Sequence, residues 1–402
     1  MRLPSNWNIR KLAEVCEKPE YGYTTSAKTD VAGPLFVRTT DISNGKINWQ
    51  SIPFCAEPPT DEKRYSLQDG DILIARAGSV GASIIVKNPP RAIFASYLIR
   101  FRPKKILDPI YAGFFLKSNS FWIQIGSRTS GTTLPGVNAT NLSNVQIPVP
   151  PLKIQQKIAS ILEKAESVKE KRKEANRLTD EFLKSAFLEM FGDPVRNPKG
   201  WNVKTIEEVA ENRKGSIKCG PFGSQLLLNE LQNKGIPVYG IDNVQMNKFI
   251  WAKPKFISEK KFQELKSFAI KADAVLISRT GTVGRACLAP PNIPKSIIGP
   301  NLLKVSLNKK ILLPIVLSVA LNYCGSVIQS IKNMSPGATV PVFNTTNLKS
   351  LKLAIPLIEE QQKFANLVQK VEKLKEKQSE SENELNNLFN SLMQRAFRGE
   401  LV

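Results

Sequence analysis

Gly131-Thr-Thr133-Leu-Pro135-Gly-Val-Asn138-Ala-Thr140-Asn141-Leu142 returns as Gly337-Ala-Thr339-Val-Pro341-Val-Phe-Asn344-Thr-Thr346-Asn347-Leu348, and this return decides the fold. Downstream, Gln155-Gln156-Lys157 matches Gln361-Gln362-Lys363. Upstream, Asp71-Ile-Leu-Ile-Ala-Arg76-Ala-Gly78-Ser-Val-Gly81 matches Ala274-Val-Leu-Ile-Ser-Arg279-Thr-Gly281-Thr-Val-Gly284. Ile47 and Trp49 return as Phe249 and Trp251, and Pro4 to Val15 as Pro198 to Val209. A self-match in this fixed order marks an internal duplication. The offset drifts from about 194 to about 206, as small insertions in one copy require. Two copies with different loops suit two similar modules of different specificity. The alternative is one symmetric fold with a single central site.

Each copy divides again. Its first part mixes short apolar runs (Ile72 to Ala75, Ser83 to Val86, Leu98 to Phe101) with Gly, Pro and Asn turns, a strand-and-turn pattern. A stretch free of Gly and Pro follows, from Leu152 to Phe191 and from Ile358 to Arg398, rich in Glu, Lys, Gln, Leu and Ala. These are good helix formers. Steps of four and three residues trace an apolar seam through Ile154, Ile158, Ile161, Ala165, Val168, Arg172, Ala175, Thr179, Phe182 and Ala186. The second seam runs through Glu360, Phe364, Leu367, Val371, Leu374, Gln378, Ser381, Leu385, Leu388 and Leu392. Both turn polar at the same place, Arg172 and Gln378, as a register-fixing layer of a coiled coil does. Either the two helices pair with each other or each packs on its own globular part; the matched length and matched polar layer favour pairing.

The 402 residues hold 57 Lys and Arg against 35 acids, a formal charge of +22. Residues 152–191 and 358–400 hold 16 bases and 15 acids, which leaves 41 and 20 for the rest. The positive excess therefore belongs to the globular parts, where it suits a polyanion such as nucleic acid. The chain has no His, which excludes His-based triads and zinc sites. Its five cysteines lie far apart with no CxxC pair, so no zinc or iron–sulfur site is expected. An odd cysteine count and a start without an apolar core, MRLPSNWNIRKL, suggest reduced thiols in a cytoplasm. The run Ile311 to Tyr323 is too short to span a bilayer and reads as a buried helix.

Arg76 and Arg279 each follow an apolar strand and open an R-x-G-x-x-G turn. Glycines there let the backbone turn tightly or approach a phosphate, and the arginine suits a phosphate or a guanine edge. A structural strand–turn is the plainer alternative. Ser, Thr and Asn of the opening stretches can bond phosphates or adenine; they also cap turns and helices. Two resemblances to catalytic motifs fail. Asn88-Pro89-Pro90 is followed by Arg91 where an amino-methyltransferase has an aromatic, and Glu259-Lys260-Lys261, downstream of Asp242, has no counterpart lysine in the first copy.

Two basic modules, each opening on P-x-x-W and closing on G-[TA]-T-x-P-x-x-N-x-x-N-L before a Q-Q-K helix, resemble the specificity subunits of type I restriction–modification enzymes. The resemblance implies an α+β chain: two similar α/β target-recognition domains (1–151 and 192–357) separated by a long antiparallel two-helix coiled coil (152–191 and 358–402) with a pseudo-two-fold repeat. Each domain would read one half of a bipartite double-stranded DNA target. The helices would set the spacing and dock two modification (methyltransferase) subunits, which restriction (motor and nuclease) subunits join. The chain itself would be non-catalytic and bind no cofactor or metal; S-adenosylmethionine, ATP and Mg²⁺ would belong to the partners. The candidate DNA contacts are Arg38, Arg76, Ser79, Arg128, Thr132, Thr133, Asn138 and Asn141 in the first domain. In the second they are Lys218, Asn243, Arg279, Thr280, Thr282, Arg285, Lys332, Thr339, Asn344 and Asn347. The competing functions are a non-specific RNA- or DNA-binding scaffold, which predicts exposed stacking aromatics where the paired Trp residues read as core, and a stand-alone methyltransferase or nuclease.

Overall fold

The structure is a computed structural model and describes residues 3–42, 45–78, 80–126, 137–252, 254–334 and 343–402. It divides into two compact units, Met1–Lys173 with Glu380–Val402, and Glu174–Ser379. Each long helix, Leu152–Phe191 and Ile358–Arg398, contributes one stretch to each unit.

The first unit is built on a four-stranded antiparallel sheet in the order Glu20–Tyr21, Leu98–Phe101, Ile72–Ala75, Ser83–Ile85. A second sheet runs Ala27–Lys28, Phe54–Cys55, Leu35–Val37, Ala92–Phe94, and its last pair is parallel. The strand Asn8–Lys11 pairs antiparallel with Gln146–Val149, just ahead of the first long helix.

The second unit repeats this plan. Its sheet runs Ile217–Cys219, Leu302–Val305, Val275–Ser278, Ala286–Leu288. A three-stranded sheet keeps the parallel pair as Ile236–Tyr239 with Ile297–Ile298, and Asn202–Thr205 pairs with Lys352–Ile355. Ile74 and Ile277 hold equivalent central positions, opposite Ile99 and Leu303. The duplication read from the sequence is therefore a duplication of strand order and register. The run from Ile311 forms the buried helix Pro314–Tyr323, with Pro at its first position, where its missing N–H costs nothing.

In both units the helices run antiparallel. In the first, Ile158, Ala159 and Leu162 share one core with Met393, Ala396 and Phe397. In the second, Leu183, Ala186, Phe187 and Phe191 share one with Phe364, Val368 and Val371. The seam read from the sequence needs correction. Ile158, Phe364 and Val371 are buried, and Ile161, Leu367 and Leu385 half-buried. Val168, Phe182, Leu374 and Leu388, however, are about half exposed, and Leu183 takes the place given to Phe182. Burial follows the cores and not the heptad: Ile158, Phe364 and Val371 are part of them, Val168, Phe182, Leu374 and Leu388 belong to neither, and the later seam positions Thr179 and Ala186 are buried again. At the polar layer Gln378 is buried and its Nε2 donates to Thr179 Oγ1 at 3.2 Å; Arg172 is half-buried.

The copies differ in how they bury a cation. Arg100 is 7% exposed and donates to the Ser66 carbonyl at 2.8 Å. Arg102 beside it holds the buried Asp71 bidentately at 2.7 and 2.8 Å. In the second unit Lys304 is 5% exposed and donates to the Ala269 carbonyl, but Ala274 and Ser306 replace Asp71 and Arg102. Burial, together with the neighbouring charges of Arg213, Lys218 and Lys271, pushes the Lys304 amine down to about 8 from 10.5. The unfolded chain then binds more protons than the folded one between those values, so this group makes stability rise with pH from about 8 to 10.5. Lys304→Met is expected to abolish that rise in thermal melts taken across the range; a wild-type pH slope in the variant would contradict it.

Candidate nucleic-acid interface

In each unit the chain leaves the central strand through the R-x-G-x-x-G turn. Gly78, Gly81, Gly281 and Gly284 all have φ between 68° and 87°, a region that side chains rarely adopt. Gly81 N–H closes on the Ala75 carbonyl at 2.8 Å and Gly284 N–H on the Ser278 carbonyl at 2.9 Å. A Cβ on Gly81 would lie 2.3 Å from the Trp122 ring. The glycines thus serve the turn, and the arginine sits at its first corner.

Arg76 is exposed and its guanidinium lies over the Tyr21 ring, 4.9 Å from the centroid. The Tyr21 hydroxyl accepts the Ala139 N–H at 3.0 Å. Asn138, one residue earlier, caps the helix Ala139–Ser143 by accepting the Asn141 N–H at 2.8 Å. Arg279 is half-buried; its Nη1 donates to Cys219 Sγ at 2.9 Å and lies 3.4 Å from the Pro300 carbonyl. Its carbonyl accepts the Phe343 N–H at 3.0 Å. Asn344 caps the helix Thr345–Ser350 through the Asn347 N–H at 2.9 Å, and Asn347 Nδ2 donates to the Met334 carbonyl. In both units the arginine corner and the asparagine-capped helix are thus brought together.

Other candidates divide. Ser79, Arg128, Thr132, Thr133 and Thr339 lie outside the described residues. Arg38 is held bidentately by Asp41 at 3.0 and 2.9 Å, and that bond raises its pKa further. Lys218 stands opposite Lys304 across the strand pair, its amine 4.5 Å from the Phe268 ring centroid. Arg285 bonds Gln245 Oε1 at 2.9 Å, Thr280 is half-buried, and Thr282 and Lys332 are exposed. Asn243 is a correction: it is 3% exposed, takes the Gly240 N–H and donates to the Ile250 carbonyl, so its side chain is spent inside the fold. Trp251 is another, 54% exposed with edge contacts to Tyr239 and Phe249. The Glu259-Lys260-Lys261 motif dissolves into ion pairs of Glu259 with Lys295 and of Lys261 with Glu230. All five cysteines are unpaired. Among the described residues no His, Cys, Asp or Glu cluster could hold a metal, and no single helix is long and apolar enough to cross a membrane.

Sequence reasoning missed Tyr21 and Cys219. The signal was the glycine that follows each: a Cβ on Gly22 would meet the Ala95 carbonyl oxygen at 2.2 Å, and one on Gly220 the Gly299 oxygen at 1.8 Å. Aligning those two glycines pairs Tyr21 with Cys219.

The pattern of the type I restriction modification DNA specificity domain matches residues 4–179 and again 198–387. The chain belongs to this family. As a type I specificity chain its role is DNA target recognition, which is what its two basic units serve. It is similar to the putative type I restriction enzyme MjaX specificity subunit of Methanocaldococcus jannaschii, 22% identical over 99% of this chain and 94% of that one. It is also similar to the StySPI specificity subunit of Salmonella potsdam, 23% identical over 91% of this chain and 82% of the relative. Among solved structures, a chain from work on complex assembly and conformational transition of the type I R-M system covers 100% of both chains at 21% identity, with a TM-score of 0.63. The S subunit from M. genitalium covers 99% of this chain and 98% of its own, at 16% identity and a TM-score of 0.53. These two share the specificity chain's α+β fold.

Proposed function

We propose that each recognition domain, 1–151 and 192–357, reads one half of a bipartite DNA target, and that the helices 152–191 and 358–402 set the gap between the halves. The observation that carries this reading is the repeated corner, an arginine at the end of the same strand in two basic units of different sequence. The helices also serve as the dock for two modification subunits. Val168 and Leu374 are equivalent positions of the two helices, as are Phe182 and Leu388, and all four leave apolar surface exposed. Such surface suits a partner's apolar face. Restriction subunits join the modification core. Methyl transfer, with S-adenosylmethionine, and cleavage, with ATP and Mg²⁺, belong to those partners in a cytoplasmic complex. The chain contributes recognition and no catalytic group.

Replacing Arg76 by alanine should relax one half of the target only, and Arg279→Ala the other. A lost bidentate base contact costs ~1–3 kcal/mol, about 5- to 150-fold in discrimination. Methylation mapping of genomic DNA in cells carrying each variant reads the result. Changes at the same base positions in both variants would refute the two-domain reading. A weakened salt dependence with intact half-sites would make these arginines phosphate contacts instead.

A further inference from the structure

Tyr21 and Cys219 occupy one position in the duplicated fold. Tyr21 pairs with Ile99, which pairs with Ile74; Cys219 pairs with Leu303, which pairs with Ile277. Each ends the same edge strand, precedes the same tightly packed glycine, and touches the arginine that follows the central strand. The contacts differ in kind. The Tyr21 ring meets Arg76 with its face, which restrains the guanidinium while leaving its N–H donors free. Cys219 takes one donor of Arg279 on sulfur, the Pro300 carbonyl lies near the same nitrogen, and the Nε of Arg279 is buried without a hydrogen-bond partner. Burial holds the Cys219 thiol above its ordinary pKa even beside the arginine, so the group that meets Arg279 is a neutral thiol.

We infer that Tyr21 and Cys219 are positioning residues, which hold Arg76 and Arg279 for reading the two half-sites and give the two domains different presentations of the same arginine. This rests on the reading that both arginines meet DNA. An arginine already restrained loses less rotamer freedom on binding. The stacked Arg76 presents its fork whole, whereas Arg279 presents the part of its fork that sulfur does not hold.

The test uses the full chain assembled with its modification subunit, with methylated positions mapped across a genome. Tyr21→Leu should cut discrimination at the first half-site about two- to five-fold, the size of a face-on cation–π contact, and leave the second half-site unchanged. Tyr21→Phe keeps the ring under Arg76 and loses only the hydroxyl that accepts the Ala139 N–H, so it should recover most of the discrimination that Tyr21→Leu loses. Cys219→Ala should relax only the second half-site, and Cys219→Ser, which keeps an acceptor, should restore it. The untouched half-site in each variant reports that the complex is folded and assembled. Equal loss at both half-sites would reduce these residues to a general structural role and overturn the inference. So would an unchanged target in Tyr21→Leu when Arg76→Ala relaxes the first half-site, which leaves the arginine reading standing. An unchanged target in Arg76→Ala as well would overturn the arginine reading and the inference together.

Discussion

Phe364→Ala should destabilise the second unit by about 3–5 kcal/mol, the range for truncating a buried phenylalanine. Phe364 is fully buried, with the rings of Phe187 and Phe191 at 5.5 and 5.2 Å. Those two rings stand 5.1 Å apart and belong to the other long helix. Truncation therefore removes the centre of an aromatic trio that ties the helices to each other in this unit, and its surroundings are too close-packed to collapse into the space. The first unit uses a different anchor, Phe397 against Tyr111 and Phe115 at 5.3 and 5.4 Å. Hydrogen exchange on the full chain separates the two. Protection should fall within 174–379 and hold within 1–173. Equal losses in both, or a cost below about 1 kcal/mol, would mean that the trio does not anchor this pairing.

The central strands were legible because the duplication let each copy check the other: an apolar run at Ile72 gains weight when Val275 repeats it. Their order and register in the sheets were not, because pairings between segments far apart in the chain leave no local pattern. Both long helices were legible from composition, since forty residues without Gly or Pro leave no place to break. Their buried faces were not, because burial depends on which side chains the core of a unit covers: Val168 fits the seam and is half exposed, while Leu183 lies off it and is buried. The arginine corners were legible as strand, basic residue and glycine turn. What stayed hidden was the partner of each arginine, since Tyr21 and Cys219 lie more than fifty residues upstream and share no chemistry. Asn243 misled for the opposite reason. A polar residue in a basic domain reads as a surface contact, and only the fold shows that its amide closes the Gly240–Ala252 turn.

Gln155→Leu should cost the first unit several kcal/mol and Gln361→Leu the same in the second, although leucine fills nearly the same space. Both glutamines are fully buried. Gln155 accepts the Asp108 N–H at 2.8 Å and donates to the Ile106 and Pro150 carbonyls at 2.9 and 2.8 Å. Gln361 repeats the arrangement with the Leu313 N–H and the Ile311 and Pro356 carbonyls at 2.8, 2.9 and 2.8 Å. One amide thus satisfies three backbone groups where the proline-rich end of a strand, the loop before a buried helix and the first turn of a long helix converge. Leucine leaves all three unpaired, at ~1–3 kcal/mol for each buried group. Glutamate separates this cause from packing. Its carboxylate still accepts the N–H but faces two carbonyl oxygens with nothing to donate, so the folded state favours the protonated acid and raises its pKa above the ~4.3 of the unfolded chain. The sign follows: Gln155→Glu should be least harmful below that value and grow less stable, relative to wild type, as pH rises through the folded pKa. Paired melts at pH 4.5 and pH 8 on the glutamate and leucine variants decide between the causes. A glutamate penalty that does not change with pH, alongside a leucine variant that melts like wild type, would show that the clamp contributes by shape and not by its hydrogen bonds.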